Sequence, residues 1–405
     1  MSPRPDLRAS LAAARAERER AGLLRRVRTC DVLPGGRRMV GNKVLADFCG
    51  NDYLGLSTHR DLVAALTRTA VFEGVGSGAA HLVSGHRSEH AALEEELADW
   101  TGRERAVLFS TGVMANLGAL QALLGMGAMP GRGGAACVQD KLNHASLIDG
   151  AQLAGAELRR YPHADVEGAA RQLDACPDAP ALLATDGVFS MDGDVAPLAA
   201  LATLCRDRGA LLYVDDAHGL GVLGAEGAGS VAAAGLGSAE VPVLMGTLGK
   251  ALGCAGAFIA GDADVIDAIV QFARPYIYTT AMPAALASAT RAALRLVRQD
   301  DEGRRPRLAG NIARFRAGAA QLGLALSPST TAIQPLLLGD AVVTLQAARQ
   351  LEAAGFLVVA IRPPTVPRGG ARLRITLSAA HTDERIDALL GALARLPAPV
   401  EPLAV

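Results

Sequence analysis

Met245-Gly246-Thr247-Leu248-Gly249-Lys250-Ala251-Leu252-Gly253 sets one lysine among glycines and small residues, directly after the apolar run Val241-Pro242-Val243-Leu244. The pattern predicts a strand followed by a Gly-rich turn, with Lys250 at the strand end. Lysines ordinarily sit on solvated surfaces, so an amine in so apolar a setting calls for a reason. Desolvation disfavours the ammonium form, and a neutral amine can form a Schiff base with a carbonyl. A phosphate-binding GxxxxGK[ST] loop is excluded: Leu244 stands where its first Gly belongs and Ala251 where its Ser/Thr belongs. Taken alone, the stretch also reads as a lysine in an ordinary glycine-rich turn.

Moving outward, short apolar runs alternate with helical stretches. The runs Ala106 to Ser110, Ala181 to Thr185, Leu211 to Val214, Val243 to Met245 and Ala257 to Ala260 alternate with helical patterns such as Asn116 to Leu124, Ala145 to Ala154 and Leu198 to Arg208. Fully apolar strands between helices predict an α/β fold with a mostly parallel sheet covered on both faces. Ligands of such sheets bind at the carboxyl ends of the strands. There stand Thr111, Asp186, Ser190, Asp215, His218 and Lys250. The turn Thr111-Gly112-Val113 before a helix aims backbone N–H groups above the sheet, which suits a phosphate or simply caps the helix. Gly74-Val75-Gly76-Ser77-Gly78 is not a dinucleotide fingerprint, because the residues before it read as helix.

The expected organisation is an N-terminal arm over 1–48, a large α/β domain over 49–283 and a smaller α+β domain over 284–405 paired with the arm. The arm carries an Ala/Arg/Glu-rich helix from Leu7 to Arg28 rather than a targeting leader. In the last part, period-2 spacing puts Arg372, Arg374 and Thr376 on one strand face. Two guanidiniums there suit a carboxylate, or form a solvated face. A net charge of −1 from 40 basic and 41 acidic residues leaves no electrostatic footprint for nucleic acid or an anionic membrane. No apolar run approaches the ~20 residues of a spanning helix. Six scattered cysteines without a CxxC read as free thiols of a reducing, cytoplasmic compartment.

Tyr213-Val214-Asp215-Asp216-Ala217-His218 closes a buried strand with two carboxylates, which is costly unless they serve something cationic. An amine at Lys250, a carboxylate at Asp215 and a phosphate turn at Thr111 are together the demands of pyridoxal phosphate (PLP), held by a Schiff-base lysine and a charged residue at its ring nitrogen.

At this point the chain resembles the α-oxoamine synthases, PLP enzymes of fold type I. The segments that carry the resemblance are NDYLGL (51–56), GSGAAHLVSGHRSEHAALEEELADW (76–100), NHASLIDG (143–150), TDGVFSMDGDVAPL (185–198), VDDAHGLGVLG (214–224), GTLGKALG (246–253), AIQPLLLGD (332–340) and AIRPPTVP (360–367). The resemblance implies Lys250 as the Schiff-base lysine and general base, Asp215 at the pyridine nitrogen and His144 stacked on the ring. It also implies His218 and Ser190 at the phenolic oxygen, and Thr111, Gly112, Val113 and Thr247 around the phosphate. Thr279 and Thr280 are implied to reach the phosphate of a second subunit, so that the enzyme is a homodimer. Arg374 is implied to bind the amino-acid carboxylate, with Arg25 and Asn51 nearby. The family often has an aromatic residue where this chain has Val113.

The implied reaction is a decarboxylative condensation of an amino acid with an acyl thioester. GHRSEH and AIRPPTVP look most like the branch that joins L-alanine to a pimeloyl thioester, carried by coenzyme A or an acyl carrier protein, on the way to biotin. The branches using glycine and acetyl-CoA, making aminolevulinate or acylating serine remain alternatives, as does a non-catalytic homologue. No metal is expected: His81, His86 and His90 lie close in sequence without other ligands, and His86 is assigned at most to the substrate cleft. Asp216 reads as structural, and Arg362 and Arg372 have no assigned role.

Overall fold

The computed structural model describes residues 4–125 and 134–396. Residues 1–3 of the expected arm and 397–405 of the expected C-terminal domain lie outside them. Two compact units form, Asn51–Leu308 and Met1–Gly50 with Ala309–Val405.

Within Asn51–Leu308, seven strands form one sheet in the spatial order Arg105–Phe109, Ala257–Gly261, Val243–Thr247, Leu211–Asp215, Ala181–Asp186, Ala136–Asp140 and Glu157–Tyr161. Ala136–Asp140 and Glu157–Tyr161 were not among the strands expected from the sequence. Glu157–Tyr161 is a sheet edge carrying Arg159 and Arg160, so it lacks the fully apolar signature. The sheet is parallel except for Ala257–Gly261, which runs antiparallel to both neighbours. The reason is the length of the connection. Residues 248–256, which hold Lys250, are too few for the crossover that a parallel return needs.

Side chains alternate between two cores. Tyr213 packs with Phe109, Leu120, Leu147 and Ile259 on one face, and Val214 with Leu183, Leu201 and Leu244 on the other. The helix Ala284–Gln299 was expected to begin the C-terminal domain. It packs on the helices Arg60–Glu73 and Ser88–Thr101, and so groups with the sheet.

The other unit has a four-stranded sheet, Asp31–Leu33, Arg37–Val40, Lys43–Asp47 and Phe356–Leu357, and a three-stranded one whose middle strand is Ala371–Thr376. Every residue of that strand is buried, Arg372 and Arg374 included, at 9% and 5% exposure. The solvated face that the sequence allowed is therefore absent. The helix expected over Leu7 to Arg28 ends at Arg20, with Gly22 at a φ of 67° just beyond. Among the described residues no helix is long and apolar enough to cross a membrane.

Candidate active site

Register brings the strand ends level. Asp186 pairs with Asp215, and Asp215 with Met245, so both carboxylates and the Lys250 loop open at one edge of the sheet. The loop is pinned by its own backbone: Leu248 N–H donates to Gly256 O, Cys254 N–H to Leu248 O and Gly253 N–H to Lys250 O, each at 2.9 Å. Two of its glycines have packing reasons. A Cβ on Gly246 would sit 2.4 Å from the Phe258 ring, and one on Gly253, at a φ of 67°, would sit 2.5 Å from Ser57 N.

Opposite the loop, the helix Gly112–Gly125 begins one residue after Thr111. Its first residues are the stretch expected as a separate turn. Thr111 Oγ1 accepts the Met114 N–H at 3.2 Å and leaves the Gly112 and Val113 N–H groups with no acceptor inside the helix. Gly112 lies against Thr247, whose Cγ2 would be 2.9 Å from an added Cβ. A cavity of about 200 Å³ lies between these elements. Lys250, Thr247 and His218 line it, as do Thr111, Gly112 and Val113. His144, Ser190, Asp186, Asp215, Asn116 and Ser146 complete the polar wall.

Asp215 is held by defined donors. Its Oδ2 accepts the Asn116 side-chain N–H at 2.7 Å and its Oδ1 the Ala217 backbone N–H at 3.1 Å. Asn116 in turn receives the Tyr213 hydroxyl at 2.7 Å and donates to Ser146 Oγ at 2.8 Å, and Ser146 Oγ lies 2.6 Å from His144 Nδ1. Asn116, Ser146 and Tyr213 escaped the sequence reading. Asn116 looks like one polar position in an apolar helix, and nothing local shows that it faces a carboxylate 99 residues away. Asp186 accepts the His144 backbone N–H at 3.1 Å. Burial, then the neighbouring Asp215, pushes its carboxyl well above the ordinary range.

Lys250 Nζ is 2.9 Å from His218 Nε2, and the Tyr53 hydroxyl is 2.6 Å from His218 Nδ1 and 3.3 Å from Asn51 Oδ1. Asn51 thus connects to Lys250 through two side chains. Thr279 and Thr280 do not line the cavity; Thr280 bridges to Ala80, beside the exposed Tyr278. Arg374 and Arg25 belong to the other unit, where Arg25 reaches Thr365 Oγ1 at 3.5 Å and Arg362 bonds to Gly22 O. Asp216 points away from Asp215 and accepts the Ser230 N–H and hydroxyl at 2.6 and 2.8 Å. Burial raises its carboxyl to about 7.

His81, His86 and His90, close in sequence, also converge in space, with ligand atoms within 4.8 Å of one another. Both His90 nitrogens are already engaged: Nδ1 accepts the Arg87 N–H at 2.9 Å and Nε2 donates to Met282 O at 2.7 Å. His81 and His86 meet each other through Nδ1 at 2.9 Å.

A brace lies beside the Ser190 loop. His163 sits between Asp140, at 3.1 Å, and Asp194, at 2.8 Å, and these bonds outweigh burial to raise its imidazole to about 10. The unfolded value is near 6.5. A folded value above the unfolded one means the contribution is complete below pH ~6.5 and disappears as pH rises through about 10. His163→Asn should therefore lower Tm by several degrees at pH 7 and progressively less as pH rises from 7 towards 10. Calorimetry across pH checks this, and a constant difference from pH 7 to 10.5 would count against it.

The donor set fits PLP: an amine for its aldehyde, a fixed carboxylate for its ring nitrogen, an imidazole for its face, and a helix start with a hydroxyl for its phosphate. Comparison with known proteins agrees. Residues 43–393 match the family Aminotransferase class I and II. The 8-amino-7-oxononanoate synthase of Alkalilimnicola ehrlichii is 54% identical over 387 residues, 95% of this chain and 96% of its own. Among solved structures, a serine palmitoyltransferase of S. paucimobilis with a bound PLP–myriocin aldimine matches with a TM-score of 0.89, 28% identity, and coverage of 96% of this chain and 98% of that one. The 8-amino-7-oxononanoate synthase of Francisella tularensis matches with a TM-score of 0.74, 30% identity, and coverage of 87% and 97%.

Proposed function

The chain belongs to the aminotransferase class I and II family, among the 8-amino-7-oxononanoate synthases, and from that premise we propose that it condenses L-alanine with a pimeloyl thioester. The products are 8-amino-7-oxononanoate, CO2 and free thiol, on the route to biotin. The observation that carries this reading is the meeting of Lys250, Asp215 and the Thr111 helix start in one cavity of a chain so similar to those synthases.

When bound, PLP supplies an aldehyde that exchanges amines and a pyridinium ring that withdraws electron density from the α-carbon. Lys250 Nζ would hold the cofactor between turnovers and, as a free amine, would take the α-proton of alanine and later return one to the product carbon. Asp215, fixed by Asn116 and Ala217, keeps the ring nitrogen protonated. Thr111, the N–H groups of Gly112 and Val113, and Thr247 hold the phosphate. His144 would stack on the ring, and Ser190 and His218 would serve its phenolic oxygen. The family resemblance assigns Arg374 to the alanine carboxylate, with Asn51 and Arg25 as further substrate-binding residues.

We further propose a homodimer in which Thr279 and Thr280 serve the partner's phosphate. Phe72, Val75 and Val83, near Ala80 in sequence, and Tyr278, just before Thr280, are 88%, 87%, 79% and 72% exposed, which favours a second copy covering them. Six free cysteines support a cytoplasmic setting.

The test is thiol release by the PLP-loaded protein with L-alanine or glycine, each with pimeloyl-CoA or acetyl-CoA. Release confined to L-alanine plus pimeloyl-CoA is expected. Release with glycine and acetyl-CoA would replace the substrate reading. Release only when a pimeloyl acyl carrier protein is supplied would assign the carrier.

A further inference from the structure

His144 is the last member of a run of hydrogen bonds that starts at Tyr213, and the donor at each link is forced. Ser146 N–H, a backbone group that can only donate, points at His144 Nδ1 at 3.3 Å. Nδ1 is therefore the lone-pair nitrogen of the ring. The other end gives the same answer. The Asn116 amide is oriented by its neighbours, because its Oδ1 takes the Tyr213 hydroxyl at 2.7 Å and its Nδ2 reaches the Asp215 carboxylate at 2.7 Å. The second Nδ2 hydrogen goes to Ser146 Oγ at 2.8 Å. Having received it, the Ser146 hydroxyl turns its own hydrogen to His144 Nδ1 at 2.6 Å. Asn116, Ser146 and Tyr213 are 0%, 2% and 0% exposed, so water does not compete for these bonds.

With Nδ1 accepting twice, the ring hydrogen sits on Nε2. Nε2 has no protein partner among the described residues, and His144 lines the cavity. Resting on the function proposed above, we propose that Tyr213, Asn116 and Ser146 are positioning residues that hold His144 in the Nε2–H tautomer, so that it donates a hydrogen bond to the carbonyl oxygen of the acyl thioester. Stacking uses the face of the imidazole, and this donor projects from its edge, so the two roles coexist. The donor matters most while that oxygen gathers charge, when a fixed N–H stabilises the developing oxyanion more than the resting carbonyl. His144 in this role is not a base.

The experiment is magic-angle-spinning ¹⁵N NMR of the PLP-loaded enzyme labelled at histidine, with a His144→Gln spectrum to identify the His144 signals. The wild type should show a bare Nδ1 and a protonated Nε2 at His144; a protonated Nδ1 would overturn the proposal. Ser146→Ala removes the 2.6 Å hydroxyl bond to Nδ1 and leaves only the longer 3.3 Å bond from the backbone N–H. A fraction of the Nδ1–H tautomer should then appear beside Nε2–H, and kcat/KM for pimeloyl-CoA should fall by about tenfold, with the KM for L-alanine within twofold of wild type. Ser146→Thr, which keeps the hydroxyl, should restore both. An unchanged tautomer in Ser146→Ala, whatever its activity, would overturn the assignment of Ser146. An Nε2–H signal in a wild type that does not use L-alanine and pimeloyl-CoA would support the hydrogen-bond run and overturn only the substrate reading.

Discussion

Lys250→Ala is expected to lower turnover with L-alanine and pimeloyl-CoA by at least ~10⁴-fold and to abolish the visible absorbance of bound PLP. Among the described residues, Lys250 is the only lysine lining the cavity, and it is assigned both the cofactor linkage and the proton transfer at the α-carbon. The loop that carries it is held by main-chain bonds at Leu248, Gly253 and Cys254, none of which needs the lysine side chain. The variant should therefore melt within a few degrees of wild type. Lys250→Arg should fare no better than alanine, because a guanidinium stays protonated and cannot serve as amine or base. Thiol-release kinetics, absorbance spectra and melting curves on the three proteins check this together. Activity of Lys250→Ala within tenfold of wild type would remove Lys250 from the mechanism.

The second large effect belongs to Asp215. Asp215→Asn keeps the shape of the side chain and takes away its charge, so it tests the electrostatic role with little change in packing. A neutral amide cannot keep the pyridine nitrogen protonated, and kcat should fall by about 10³-fold, a loss typical of removing preorganised charge from a water-poor site. The Asn116 and Ala217 donors also lose their charged acceptor, so PLP should bind more weakly. Cofactor content after gel filtration and kcat at saturating substrates are the measurements. A variant that retains PLP and a kcat within tenfold of wild type would place the important charge elsewhere, with Asp186 the next carboxylate to examine.

Much of this site was legible in the chain because its parts follow strands. A buried strand must be apolar, so the first polar residue after it stands out; Asp215, Asp186 and Thr111 were found in this way. Lys250 stood out for the opposite reason, a charge among glycines that turned out to have tight neighbours at Gly246 and Gly253. Asn116 and Ser146 gave no such signal. Each occupies an ordinary helix position, and its importance depends on a partner from another strand or helix. The state of the histidine cluster was hidden for a related reason. Spacing placed His81, His86 and His90 near one another, but only folding showed that His90 spends both nitrogens on backbone groups.

The amino-acid sequence by itself determined the layered α/β plan, the family resemblance and the residue types at the strand ends, because local periodicity and ordered motifs are properties of neighbours along the chain. The tertiary structure alone decided that Ala257–Gly261 runs antiparallel, that both faces of Ala371–Thr376 are buried, and that one run of hydrogen bonds joins Tyr213 to His144. Those outcomes depend on which distant segments pack side by side, and on the requirement that every buried donor and acceptor find a partner there.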